Sequence, residues 1–158
     1  MKGMRLDDIM QELGGKKEQQ WFAWAIAGMV MADKKMSKPE EAYMRQLFSK
    51  YCDAELSATM ADTMKNNKKI SLDALQLKDR TLAAKVLKYL AVIAAIDKDI
   101  PQDEKKYLQQ VGEKLGFSAQ SVSHALAWRK REMARQVEAE RDENDLTIKL
   151  RSETPKYI

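Results

Sequence analysis

The sequence contains few of the residues that proteins use for cross-links, metal sites and tight turns. Its 158 residues include six Gly, three Pro, one Cys and one His. A lone cysteine, Cys52, excludes an intramolecular disulfide framework, and with His124 as the only histidine it excludes a Cys2His2 zinc site. Gly and Pro are scarce and helix-forming residues are many, so the sequence has few residues suited to the turns between strands of a sheet. We therefore predict an all-α protein that is held together by its hydrophobic core.

Long apolar runs and blocks of one charge are missing as well. The longest apolar run, residues 21–32, has 12 residues, whereas a membrane-spanning helix needs about 20. Near the amino terminus no hydrophobic stretch is followed by a cleavage pattern, so we expect no signal peptide and a cytoplasmic location. The 28 basic and 24 acidic residues are interspersed and leave a net charge of +4. No nucleic-acid partner is expected from this balance.

Recognisable catalytic motifs are absent from the sequence. There is no glycine-rich phosphate loop, no nucleophile beside a base and no strong metal-ligand spacing. His124 has no second imidazole to act with, so we interpret it as a surface or packing residue. The sequence thus predicts a protein that is not an enzyme and has no small-molecule substrate.

Apolar residues recur at helical spacing along most of the chain. Helices are predicted at about residues 6–13, 19–33, 37–51, 53 or 57 to 64, 79–97, 101–115 and 118–145. The second helix is apolar on nearly all sides, which predicts a central position in a helical bundle. Residues 70–77 fit no single pattern. We expect residues 1–145 to form one domain, followed by a tail at 146–158.

Two stretches of the sequence, residues 25–52 and 89–116, repeat the same pattern 64 positions apart. Each contains an apolar helix that ends in Asp, a short turn, and a second helix that begins beside a Glu. The matched pairs include Ala27 with Ala91, Asp33 with Asp97, Lys34 with Lys98, Glu40 with Glu104 and Tyr43 with Tyr107. This pattern predicts an internal duplication within residues 21–116, with two helical hairpins that face each other.

The repeated pattern resembles the tellurite-resistance TerB family and the related amino-terminal domain of a membrane-anchored J-protein co-chaperone. The resemblance covers residues 21–116. In that family each hairpin reads Ala-Asp-Gly, one residue, an apolar residue, three residues, Glu. The matching residues are Ala32, Asp33, Met36 and Glu40, then Ile96, Asp97, Ile100 and Glu104. Lys34 and Lys98 occupy the family's glycine position, where lysine costs roughly 1 kcal/mol in a left-handed backbone, so the turns are expected to be reshaped.

The duplicated acidic turns allow two interpretations. An Asp at a helix carboxyl end is disfavoured by about 0.3–1 kcal/mol unless something offsets it. Either the carboxylates cap the following helix, or they supply oxygens to a divalent cation such as Ca²⁺ or Mg²⁺. The candidate ligands are Asp97, Glu104, Asp99 and Asp103 in the second copy and Asp33 and Glu40 in the first. The second copy has the larger excess of acids, but neither turn is an EF-hand loop, so any affinity should be weak.

The region after Gly116 is predicted to determine which partner the protein binds. Between residues 129 and 145 its charges alternate in sign, which is typical of an exposed helix or of half a coiled coil. The candidate partner contacts are Trp128, Arg129, Arg131 and Arg135. Packing of Trp128 back onto the bundle is the alternative. The tail alternates apolar and polar residues from Leu146 to Leu150, so it could add a strand to a partner.

Three functional hypotheses follow. The first, which rests on the resemblance, is a non-enzymatic TerB-like module that acts in a bacterial stress response through protein contacts and binds a divalent cation weakly. The second is a structural adaptor whose acidic residues are helix caps only and whose carboxy-terminal helix and tail bind a partner. The third is a nucleic-acid binder that uses Arg129, Lys130, Arg131 and Arg135. A membrane-associated complex would place the protein peripherally at the inner membrane.

Overall fold

The computed structural model of the chain describes residues 5–32, 37–94, 102–153 and 155. In these residues the chain forms α-helices and no strands. The helices are α1 (Leu6–Leu13), α2 (Lys16–Met31), α3 (Lys38–Tyr51), α4 (Ala54–Lys65), α5 (Arg80–Ile93), α6 (Gln102–Lys114) and α7 (Ala119–Arg151). The predicted all-α helical bundle is confirmed.

Four helices begin where a side chain accepts hydrogen bonds from free backbone N–H groups. At the start of α3, the Glu40 N–H donates to Ser37 Oγ at 3.3 Å and the Ser37 N–H donates to Glu40 Oε1 at 3.0 Å. Asp53, Asp79 and Ser118 accept comparable bonds at the starts of α4, α5 and α7. Each cap contributes about 1 kcal/mol, and each of these helices begins one residue after its cap.

Helix α2 lies at the centre of the bundle and packs against α1, α3, α5 and α6. Phe22 and Ile26 are completely buried, and Met29 is 1% exposed. The ring of Phe22 meets that of Tyr89 on α5 edge to face, with the centroids 5.6 Å apart. From Trp21 onward the sequence of α2 is apolar nearly all round, and this part of the helix is covered on most sides, as predicted for a central helix.

The segment from residue 66 to 79 connects α4 to α5 without regular structure, and it includes residues 70–77, which fitted no single pattern. Leu75 and Leu77 are buried, while the residues between and beside them are exposed. Two hydrogen bonds hold the segment: Trp21 Nε1 donates to the Asp73 carbonyl at 2.8 Å, and the Leu75 N–H donates to the Lys114 carbonyl at 2.9 Å. Burial of alternate residues is typical of an extended chain and explains the absence of helical spacing.

The starts of the helices agree with the predicted register of the repeat. Helix α5 begins 64 residues after α2, and α6 begins 64 residues after α3. Helices α2 and α3 pack together, as do α5 and α6. Superposition of the two hairpins by an internal twofold relation stays a prediction.

Helix α7 is longer than the sequence predicted. Its first half packs on α5 and α6 and buries Val122, Leu126, Arg129 and Met133. It then continues to Arg151, so the prediction that it ends at residue 145 was wrong, and residues 146–151 are helical rather than a tail available as a strand. The basic residues of the last turn, Lys149 and Arg151, interact favourably with the helix dipole.

Beyond Met133, the helix has no tertiary support. Every residue of α7 from 134 to 151 is exposed, including Val137 at 46% and Leu150 at 60%. No helix in the described parts of the chain combines the length and apolar character needed to cross a membrane.

Candidate functional site

The first acidic turn uses its glutamate as a helix cap. Glu40 lies in the reciprocal capping box with Ser37 and is partly exposed. Its predicted companion, Asp33, lies outside the described residues. For Glu40 the structure therefore shows the capping arrangement, which satisfies backbone N–H groups that would otherwise lack a partner.

The second acidic turn is different, because its glutamate is buried. Glu104, in the first turn of α6, is 6% exposed, while the neighbouring Asp103 is exposed. The residue that corresponds to Ser37 is Pro101, and proline has neither a backbone N–H nor a side-chain acceptor. Glu104 therefore cannot repeat the capping box of Glu40. A carboxylate in the first turn of a helix is favoured by the helix dipole.

The structure does not test the predicted cation site. Asp97 and Asp99 lie outside the described residues, so only Asp103 and Glu104 of the second set can be located. Within the described ranges, no group of three or more Asp, Glu, His or Cys side chains is arranged to hold a metal ion. A site completed by Asp97 or Asp99 stays a prediction.

The predicted partner contacts on α7 divide into two pairs. Trp128 is half-buried, and Nζ of Lys88 on α5 lies 5.2 Å from its ring centroid. Arg129 is 8% exposed, and burial lowers the pKa of its guanidinium, an effect that Glu132 partly offsets. Arg131 and Arg135 are exposed, and Arg135 Nη1 lies 2.7 Å from Glu132 Oε1. A partner contact at any of these residues stays a prediction, but Arg129 lies in the interface with the body rather than on the free surface.

A cleft that was not predicted from the sequence lies between α2, α6 and the segment after α4. It has a volume of about 300 Å³, and its lining includes Gly28, Asn67, Lys68, Lys69, Asp103, Lys106, Tyr107 and Gln110. The Tyr107 hydroxyl is buried and has no hydrogen-bond partner among the described residues. Burial raises the pKa of this hydroxyl above its ordinary range.

Gly28, a glycine within the apolar part of α2, was the available sequence signal for this cleft. The Tyr107 ring occupies the space that a side chain at Gly28 would need. Its counterpart in the repeat, Tyr43, is 41% exposed, and its hydroxyl oxygen lies 3.4 Å from that of Tyr89. The two tyrosines that match in sequence are thus in different environments.

Comparison with known proteins identifies the family. A family model described as tellurite resistance protein TerB matches residues 21–127. That range extends from α2 to the first third of α7 and leaves the exposed half of α7 outside the match. Comparisons with curated proteins and with solved structures give no match. Because the family model covers more than half of the chain, the chain belongs to the tellurite resistance protein TerB family.

Proposed function

We propose that this TerB family member is a non-enzymatic module of a bacterial stress response and acts through protein contacts. In this proposal, α1 to α6 and the first half of α7 form a stable platform. The second half of α7, residues 134–151, is the element that binds the partner. The observation that carries the proposal is the complete exposure of these residues on a continuous helix.

The energetics of an isolated helix support a binding role. Helices of fewer than about 15 residues are marginal in water, and longer ones gain most of their stability from packing of one face. Ion pairs along a helix add only about 0.2–0.5 kcal/mol each. A partner that covers residues 134–151 would supply the missing packing.

An acidic stretch in the middle of the exposed half indicates the kind of partner, although residues 134–151 as a whole contain five acids and four bases. Residues 138–145 contain five acids and one base, namely Glu138, Glu140, Asp142, Glu143, Asp145 and Arg141. The rest of the chain carries a positive net charge. We infer that the partner is a protein with a basic surface, and that salt weakens the complex by screening the exposed charges. This segment also lies outside the family match.

Site-specific cross-linking in cells tests the proposal. A photo-reactive residue at Ala139 should capture one discrete protein with a basic surface, and the same residue at Lys114 on α6 should not. Changing Glu138, Asp142 and Asp145 to the corresponding amides should abolish capture. The matched control changes three exposed acids of the body, Asp8, Glu55 and Glu113, in the same way. Equal capture by both triple variants, or equal capture from both positions, would overturn the proposal.

A second candidate function is weak binding of a divalent cation at the turn before α6. The burial of Glu104, with Asp103 beside it and Asp97 and Asp99 close in sequence, supports this site over the first one. If the Kd is near 1 mM, 10 mM Ca²⁺ or Mg²⁺ adds about 1.4 kcal/mol to the free energy of unfolding. Thermal melts should show this gain in the wild type and not in Asp97→Asn, while Glu40→Gln should retain it. A wild-type melt that neither cation changes would contradict the proposal.

The proposed location follows from the same reasoning. We expect the protein in the cytoplasm, with a peripheral position at the inner membrane if its partner belongs to a membrane-associated complex. Fractionation of cells that carry the full chain, and of cells that carry the chain without residues 138–158, would distinguish the two locations. Loss of most of the partner-binding half should release a peripheral protein from the membrane.

A further inference from the structure

Four exposed charges form a stripe along α7, with two basic residues followed by two acidic ones. Because they are spaced four, three and four positions apart, they share one face of the helix. The members of this α7 stripe are Arg131, Arg135, Glu138 and Asp142. The first two lie two positions after the buried Arg129 and Met133, which is a rotation of about 200° around the helix axis. The stripe therefore faces away from the body of the protein.

The charges of the stripe are available for contact with another molecule. Arg131, Glu138 and Asp142 form no ion pair within the part of the chain that the structure describes. Arg135 Nη1 lies 2.7 Å from Oε1 of Glu132 on the same helix, but the arginine side chain is 70% exposed. A guanidinium has five N–H donors, so Arg135 can bind a second carboxylate as well. One end of the stripe attracts acids and the other attracts bases.

We propose that the partner bound by the exposed half of α7 is a second copy of this chain, which pairs with the first through antiparallel α7 stripes. If the pair is centred between residues 136 and 137, residue 131 of each copy lies opposite residue 142 of the other, and residue 135 lies opposite residue 138. Every charge of the stripe then meets one of opposite sign. A parallel pair would set like charges against each other. The proposal rests on the partner-binding role of residues 134–151 and names the partner.

The same register brings an apolar contact and a further ion pair to each end of the helix pair. It places Trp128 opposite residue 145 of the second copy. Trp128 is half-buried, and Nζ of Lys88 lies 5.2 Å from its ring centroid. Asp145 of the second copy would approach this exposed lysine. Leu146, which is 55% exposed, would cover the open side of the Trp128 ring.

The position of the body leaves room for this pairing. Each body packs on the face of α7 that is opposite to the stripe, so the two bodies lie on the outer sides of the helix pair. The overlap of residues 128–145 extends over about 27 Å of helix. Both copies use the same surface, so the contact closes as a twofold dimer and does not continue into a filament. Few apolar residues take part, and the dimer should therefore be sensitive to salt.

Reversal of the charges at each end of the stripe tests the pairing by analytical ultracentrifugation. The double variant Arg131→Glu, Arg135→Glu has an acidic stripe, and the double variant Glu138→Lys, Asp142→Lys has a basic one. Each should be monomeric alone, because its stripe repels an identical copy. An equimolar mixture of the two should form a one-to-one dimer. For the wild type, we expect the Kd of the dimer to rise about tenfold between about 50 mM and about 500 mM sodium chloride.

The matched control reverses two exposed lysines of the body, Lys17→Glu and Lys38→Glu, and changes the net charge as much as the acidic variant does. Both lie in the first turn of a helix, where glutamate is favoured by the helix dipole. This control should dimerise like the wild type. Circular dichroism verifies that each variant is folded.

A wild type that stays monomeric at low salt, a charge-reversed variant that dimerises alone, or a mixture that forms no complex would overturn the proposal. Cross-linking from Ala139 separates this outcome from failure of the partner-binding role. An adduct of two copies of the chain supports both proposals. Capture of a different protein alone would overturn the second copy and leave the partner-binding role intact, whereas no capture at all would overturn both.

Discussion

The hydroxyl end of the Tyr107 ring packs directly against the α-carbon of Gly28, in the space that a β-carbon would fill. This contact joins α6 to the central helix α2, although the two residues are far apart in sequence. Glycine is required here for space rather than for its backbone freedom, since α2 is helical on both sides of it. The contact also buries the tyrosine hydroxyl.

Replacing Gly28 tests whether this close approach stabilises the fold. Alanine is favoured over glycine within a helix by about 1 kcal/mol. Overpacking against Tyr107 should outweigh that gain, and we expect Gly28→Ala to lower the free energy of unfolding by about 1–3 kcal/mol. Chemical denaturation measures the change. In a Tyr107→Ala background the same substitution should be neutral or stabilising, and an equal cost in both backgrounds would show that the tyrosine is not the cause.

The contact between α1 and α3 should make the stability of the protein depend on pH in the acidic range. Asp7 accepts hydrogen bonds from the Tyr51 hydroxyl and from Lys50 Nζ, the latter at 2.9 Å. These bonds lower the pKa of Asp7 from its ordinary value of 3.8. A carboxyl group whose pKa is lowered in the folded state stabilises the fold at pH values above its ordinary pKa. This stability is lost as the pH falls through the lowered pKa.

Melting temperatures measured from neutral pH to below pH 4 check this dependence. We expect Asp7→Asn to melt at a lower temperature than the wild type near pH 7, with the difference shrinking in acid. Asp8→Asn, one residue further along the exposed side of α1, serves as the control. If the melting temperatures of both variants run parallel to the wild-type curve over this pH range, the Asp7 contact does not contribute to the pH dependence of stability.

The only cysteine should react slowly with thiol reagents. Burial raises the pKa of Cys52 to about 11, with a further contribution from Asp53. Because the thiolate is the reactive form, its fraction near neutral pH should be about a hundredfold below that of an unperturbed thiol. Absorbance after addition of a disulfide reagent measures the rate, with unfolded protein in denaturant as the reference. Equal rates in the folded and unfolded protein would contradict this prediction.

The exposed half of α7 should contribute little to folding stability. Deleting residues 138–158 removes exposed helix and leaves the buried Leu126 and Met133 in place. We expect the melting temperature to stay nearly unchanged, whereas Leu126→Ala should cost about 2–5 kcal/mol. Calorimetry on the three proteins makes the comparison. A large loss on deletion would mean that the second half packs on the body.

The sequence was sufficient to predict the fold class and the approximate positions of the helices. Helical spacing and caps such as Ser37 and Ser118 are local features, so they can be recognised before any tertiary contact is known. The same local information misled at the end of α7, where the alternation of Leu146, Ile148 and Leu150 suggested a strand. The three residues lie in the exposed end of a continuous helix, so their alternation does not mark the buried face of a strand.

The tertiary structure alone decided which side chains are covered. Arg129 and Arg131 carry the same side chain two positions apart, yet the first faces the body and the second faces solvent, because a helix turns by about 100° per residue. Tyr107 and Tyr43 match in the repeat, but only Tyr107 lies over a glycine of α2. Burial and the meeting of distant residues depend on how the helices pack, and one position in the sequence carries no information about the element that will cover it.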